Sequence, residues 1–306
     1  MFARDQASIS SDQQGWARSP ERGSMTMLRL ITWISLKLGR RMARLILYLI
    51  AGYFVLFAPK ARRSSRAYLT RVFGRPAHIW QVYRHFFSFA ATIHDRIYLL
   101  NDRFDFFDIS LHQPEAVDTA VATGRGVLLL GAHLGSFEVL RGIGRQHIDP
   151  RVIMVMYEKN AERINAILAA VNPNIEQNVI SPGRVDSMIC VQKELENGAL
   201  VGLLGDRSFG KEKMQPIPFL GKSALWSNGP LRIAAILRRP VFFMTGLYTG
   251  PGKYEVFIEP LADFTEVEKE GKEAALQQAL TNYVGLLDEY CHMAPYNWFN
   301  FFDFWQ

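Results

Sequence analysis

The sequence predicts a mixed α/β fold: a largely parallel central sheet with helices on both faces, preceded by a helical segment associated with a membrane. Two observations carry this. Short, continuous apolar runs that end at glycines alternate with stretches of helical periodicity from about residue 76 onward, the pattern of parallel strands buried on both faces. The basic charge is concentrated at the start. Residues 1–76 hold fourteen Lys/Arg against three Asp/Glu, although the whole 306-residue chain is only +6.

Three regions follow. Residues 1–24 are polar and aperiodic and read as an arm. Residues 25–75 alternate basic clusters with apolar runs, of which the longest, Leu45–Ala58, has fourteen residues. A bilayer span needs about 20, so this run fits a helix lying in or dipping into the interface. Arg40, Arg41 and Arg44 precede it, and Lys60, Arg62, Arg63 and Arg66 follow. Both clusters suit anionic headgroups on one cytoplasmic face, with Trp33, Tyr48 and Tyr53 as interfacial aromatics. A buried core helix with solvated basic ends is the alternative. No signal-peptide cleavage pattern follows the run.

Residues 76–306 read as one continuous α/β domain. Ile79–Leu100 has an aromatic-rich helical pattern. Val127–Leu130 and Val152–Met156 read as strands, Val185–Leu195 as a helix stopped by Gly198, and Ala199–Leu204 as a strand ending at Gly205. Pro230–Leu237 reads as a helix, Val241–Leu247 and Tyr254–Ile258 as strands, and Glu266–Tyr290 as an amphipathic helix. In such sheets ligands bind beyond the carboxyl ends of strands. His133 and Asp206 each follow a strand closely, which places both on that edge.

Several functions are excluded or unsupported. Cys190 and Cys291 make no disulfide framework and no metal-ligand spacing, and the remaining histidines lack such spacing too, so no metal is expected. The body is acidic and carries no helix-turn-helix or zinc-finger pattern, so no nucleic acid is expected. There is no G-x-S-x-G elbow, no Walker A motif and no complete dinucleotide fingerprint.

The chemistry centres on "GAHLGSFE", Gly131–Glu138. Five positions apart on one helix, His133 and Glu138 would sit roughly 140° apart. The spacing works better with His133 in the turn and Glu138 in the first turn of the next helix, capped by Ser136. A carboxylate on one imidazole nitrogen raises the basicity of the other, which then takes a proton from a hydroxyl. This is the base and orienter of a serine triad without its serine. Spacing alone leaves open a core histidine beside a glutamate that favours a helix N-terminus.

"GAHLGSFE" resembles the H-x4-D/E block of the lysophospholipid acyltransferase superfamily. "GDRSFG" (Gly205–Gly210), Pro218–Phe243 and "PYNWFNFFDFW" (Pro295–Trp305) resemble blocks of its lipid A late acyltransferase branch. Trp16, Glu21, Arg22, Gly23 and Ser24 resemble the opening of a group of predicted acyltransferases in that superfamily. The resemblance implies a membrane-associated bacterial enzyme on the cytoplasmic face of the inner membrane. It would move a fatty-acyl group from acyl carrier protein or coenzyme A, as co-substrate and without further cofactor, to a lipid hydroxyl or amine. His133 and Glu138 would be catalytic. Glu rather than Asp at position 138 points toward a glycolipid, aminolipid or specialised acceptor.

Arg184 and Arg207 are candidates to bind a phosphate or carboxylate or to steady an oxyanion. Asp206, Ser136, Asn228 and Gly229 complete the expected substrate site. Arg207 stands where the branch tends to have Gln, and it could simply pair with Asp206. The C-terminal aromatics read as a core plug or a membrane-facing anchor. A non-catalytic lipid binder and a glycosyltransferase-like enzyme are the competing readings.

Overall fold

The computed structural model describes Ser35, Lys37 and residues 39–139, 152–155, 179–180, 185–207 and 214–305. The arm at residues 1–24, Trp33 and Arg184 lie outside the described residues.

Three helices open the described chain: α1 (Arg40–Phe57), α2 (Pro59–Phe73) and α3 (Ile79–Leu99). Helix α1 buries Ala43, Leu47, Ala51 and Val55, a four-residue repeat that forms one stripe, and packs on α3. Pro59 ends it. Proline disfavours helical backbone at the preceding residue and is pre-set for a first helical turn, so Ala58 sits at φ −116° and α2 leaves at 97° to α1. Among the described residues no single helix is long and apolar enough to cross a membrane. Ala51, Val55, Tyr68 and Leu69 join the same hydrophobic core as the sheet.

The body follows as β1 (Asp108–His112), α4 (Glu115–Ala122), β2 (Val127–Gly131), β3 (Val152–Val155), β4 (Val179–Ile180), α5 (Val185–Glu196) and β5 (Leu200–Leu204). Then come β6 (Met214–Phe219), β7 (Lys222–Ser227), α6 (Gly229–Leu237), β8 (Pro240–Gly250), β9 (Lys253–Asp263) and α7 (Lys272–Met293). Seven strands form one sheet in the order β1-β9-β8-β2-β5-β3-β4. All its pairings are parallel except β8 with β9. The mixed, largely parallel sheet expected from the alternation is therefore present.

Strand β2 is buried along its whole length because it lies between β8 and β5, which is why it reads as an unbroken apolar run. Strands β8 and β9 are longer than their apolar centres suggest. They form one hairpin closed at Pro251-Gly252, with Gly250 paired to Lys253. The helix read from Glu266 begins only at Lys272, because the polar stretch through Gly271 forms turns instead. The β6–β7 hairpin was not legible: its strands contain Pro216 and Pro218, which mask the alternation. Its two-residue turn, Leu220-Gly221, has positive φ at both positions, and Asp288 of α7 accepts the Leu220 N–H at 2.6 Å.

The chain ends against this body. Trp298 is fully buried, and Phe299, Phe304 and Trp305 are buried, so the aromatic ending is a core plug rather than a membrane-facing anchor. His85 of α3 pins it. Its Nε2–H donates to the Trp298 carbonyl at 2.8 Å, and its Nδ1 accepts from the Ser65 hydroxyl of α2 at 2.9 Å. Burial lowers the His85 pKa to about 4, against the opposing hydrogen bond to Trp298.

The unfolded chain therefore takes up a proton at His85 before the folded one does. This residue's contribution is complete above about pH 6.5 and is lost as pH falls toward 4, a difference of roughly 3 kcal/mol. Urea unfolding at a series of pH values is expected to show stability declining across that window, with a shallower decline in His85→Gln.

Candidate active site

Sheet register brings the two key side chains together. In the β2–β5 pairing Gly131 lies opposite Leu204, and the Gly205 N–H donates to the Gly131 carbonyl at 2.9 Å. Each strand then runs two residues past that last pair, one to His133 and the other to Asp206. Both leave the carboxyl edge of the sheet at the same level.

The Asp206 side chain is fully buried, whereas that of His133 keeps 28 % of its surface exposed. Asp206 Oδ1 lies 2.8 Å from His133 Nδ1. Asp206 Oδ2 accepts from the His133 backbone N–H at 3.0 Å, Trp298 Nε1–H at 3.0 Å and Asn300 Nδ2 at 2.7 Å. Burial alone would raise the Asp206 pKa. His133, Arg207 and the His133 N–H outweigh it and hold the carboxyl well below the usual carboxylate range. An ionised Asp206 can only accept, so Nδ1 carries the imidazole proton and Nε2 keeps its lone pair. For His133, burial and then the Arg207 charge lower the pKa. Asp206 opposes them, and Arg96 adds to the lowering. The imidazole is thus neutral near pH 7.

Glu138, expected to orient His133, does not. It begins the helix after the turn, as the spacing suggested, but its carboxylate lies 2.8 Å from Arg96 of α3. Among the described residues, the carboxylate in hydrogen-bond reach of His133 is Asp206. The sequence had marked Asp206 for the site but given it a substrate-binding role.

The other expected residues divide. Arg207 donates from Nε and Nη2 to Asn300 Oδ1, at 2.9 and 2.8 Å, and its guanidinium stands 5.4 Å from the centre of the Phe302 ring. It is at the site, tied to the C-terminal segment. The Ser136 N–H donates to the Gly246 carbonyl at 2.7 Å. Its hydroxyl is buried and makes no hydrogen bond, so the expected helix cap is absent. Asn228 accepts from Arg232 at 3.0 Å, and the Gly229 N–H donates to Ser227 at 3.0 Å. Both belong to the start of α6, and no described contact joins either to His133 or Asp206.

Trp298 and Asn300 were missed as site residues. They lie on the last segment, which pairs back along the turn after β2. Phe299 N–H donates to the His133 carbonyl at 2.7 Å, and Gly135 N–H donates to the Asn297 carbonyl at 2.9 Å. The signal was the two asparagines set inside "PYNWFNFFDFW", since buried amides need specific partners. Gly135 lets the turn pass the sheet. Its φ is +72°, and a Cβ there would fall 2.0 Å from the Gly246 carbonyl oxygen. Among the described residues no three His, Cys, Asp or Glu side chains gather into a metal-binding group.

A carboxylate-held imidazole at the carboxyl edge of a parallel sheet defines a protein equipped for general-base chemistry on a bound substrate. Comparison with known families makes this specific. The chain belongs to the bacterial lipid A biosynthesis acyltransferase family, whose model matches residues 16–306. It is an acyltransferase with an acyl donor and a lipid acceptor, and the lipid-binder and glycosyltransferase-like readings fall away. A search of curated proteins found no match.

Two results are expected from this geometry. The acid limb of kcat/KM has its midpoint below pH 6.5, because the base must be neutral and its pKa is lowered. Asp206→Asn reduces kcat by about 10³-fold or more, as loss of the orienting carboxylate does in serine triads. Steady-state kinetics across pH would check both.

Proposed function

We propose that this chain moves a fatty-acyl group from a thioester of acyl carrier protein or coenzyme A to a hydroxyl or amine of a lipid acceptor. His133 is the general base, and the reaction takes place at the cytoplasmic face of the bacterial inner membrane. The observation that carries the chemical part is the His133–Asp206 pair.

In this reading the acceptor O–H or N–H gives its proton to His133 Nε2 as its oxygen or nitrogen bonds to the thioester carbonyl carbon. The carbonyl electrons move to oxygen and then return, breaking the C–S bond. The departing thiolate takes the proton back from the imidazolium, which leaves His133 neutral. Asp206 steadies the imidazolium throughout. Arg207 supplies positive charge beside the developing oxyanion. Glu138 holds Arg96 and tempers its charge on His133.

The test compares lipids from bacteria expressing equal amounts of wild type or His133→Ala. A lipid heavier by one fatty-acyl unit is expected with wild type only. Its mass would give both acceptor and chain length. The same product from both strains would overturn the role of His133.

The membrane part rests on the first helices. Helix α1 exposes Met42, Leu45, Leu49 and Leu56 on the side away from its buried stripe, and Trp80 at the start of α3 is 72 % exposed. Residues 22–94 contain thirteen Lys/Arg and no Asp or Glu. Arg40 and Arg44 turn inward to Asp95 and Tyr248, whereas Arg41, Lys60 and Arg63 are exposed, and an apolar face flanked by exposed positive charge suits an anionic interface. The purified chain is expected to sediment with phosphatidylglycerol-containing vesicles. Leu49→Asp/Leu56→Asp should weaken that binding about 10-fold or more without lowering the melting temperature, and equal binding by both proteins would contradict this face.

A further inference from the structure

Asn300 sits between the two groups that set the environment of His133. It is 1 % exposed. Its Nδ2 donates to Asp206 Oδ2 at 2.7 Å, and its Oδ1 accepts two hydrogen bonds from Arg207. The chemistry of these neighbours fixes its orientation. An ionised carboxylate only accepts and a guanidinium only donates, so the residue between them must donate on one side and accept on the other. An amide does this without charge. A carboxylate would oppose Asp206, an amine would oppose Arg207, and an apolar side chain would leave both ions short of a partner in a buried site, at considerable cost.

We propose that Asn300 is a positioning residue: its amide couples Arg207 to Asp206 and so fixes both the carboxylate that holds His133 and the cation beside it. This rests on His133 being the base. It adds that the C-terminal segment, beyond the last helix, completes the site. Backbone contacts set the reach of the amide, because Phe299, one residue earlier, donates to the carbonyl of His133 itself. Asn300 and His133 are thereby locked in one register, while Trp298 supplies another donor to the same carboxylate oxygen.

The consequence can be signed. Among the described residues, the charged or titratable groups that act on the pair are Asp206 and Arg207 after β5 and Arg96 of α3, with its partner Glu138. Tyr283 and Cys291 of α7 also lie within electrostatic reach of Asp206. Replacing Asn300 by leucine, which has a similar volume, takes a donor from Asp206 and concentrates its charge toward His133 Nδ1. It also removes two of the hydrogen bonds that hold the Arg207 guanidinium beside the imidazole and so weakens its hold there. Both changes favour the imidazolium.

The experiment is a histidine-labelled NMR titration of full-length wild type and Asn300→Leu, paired with kinetics. The His133 pKa is expected to rise by about one unit in the variant, and kcat to fall about 10- to 100-fold with KM little changed. A folded variant with an unshifted His133 pKa would show that Asn300 only fills space and would overturn the proposal. The titration needs no turnover. A shifted pKa without any acyl transfer in wild type would therefore sink the functional reading and leave the positioning role standing. If Asn300→Leu does not fold, Asn300→Asp decides. Its protonated form offers O–H to Asp206 and C=O to Arg207, so its activity relative to wild type should fall as pH rises. A ratio independent of pH would overturn the proposal.

Discussion

The hydrogen bond between His133 and Asp206 depends on one feature of the sheet, the parallel register of β2 and β5. Gly131 faces Leu204, and the same short extension from each strand delivers an imidazole and a carboxylate to one point. A slip of one residue would turn either side chain to the opposite face of the sheet. The register is itself held from below by Tyr283 of α7, whose hydroxyl donates to the Gly131 carbonyl at 2.9 Å. It is held from above by the closing C-terminal segment. A partly exposed imidazole beside a fully buried carboxylate is an arrangement that suits a general base, with Nδ1 held by the carboxylate.

Burying an ion is costly unless its hydrogen-bonding capacity is met. Asp206 is buried and accepts from the imidazole, an indole, an amide and a backbone N–H. These donors come from two parts of the chain far apart in sequence, the turn after β2 and the segment after α7. The site is therefore assembled only when the chain's last residues have docked. That docking reaches further through His85, which ties the Trp298 carbonyl to Ser65 of α2. The basic, apolar helices at the start of the described chain and the buried Asp206 carboxylate thus meet on the same short C-terminal run. The helices proposed to meet the membrane are structurally continuous with the His133–Asp206 pair.

Much of this was legible in the sequence because local pattern and tertiary role agreed. Strand β2 is apolar throughout because it is central, and β5 is apolar for the same reason. The mouth-of-strand placement of His133 follows from local rules. The parts that were not legible depend on non-local partners. Nothing in "GAHLGSFE" says that Glu138 will meet Arg96, forty-two positions earlier, and leave the imidazole to Asp206. The two prolines of β6 hide a strand whose pairing is decided by its hairpin partner. Asn300 looks like an isolated amide in an aromatic tail until the fold sets it between a carboxylate and a guanidinium.

The most direct test of the central pairing is a nitrogen-15 NMR spectrum of histidine-labelled protein near neutral pH, for wild type and Asp206→Asn. A His133 signal from a neutral ring protonated at Nδ1, with that proton shifted downfield and the shift lost in Asp206→Asn, is the expected result. A ring protonated at Nε2, or one indifferent to the Asp206 substitution, would contradict the assignment of Asp206 as the residue that makes His133 a base.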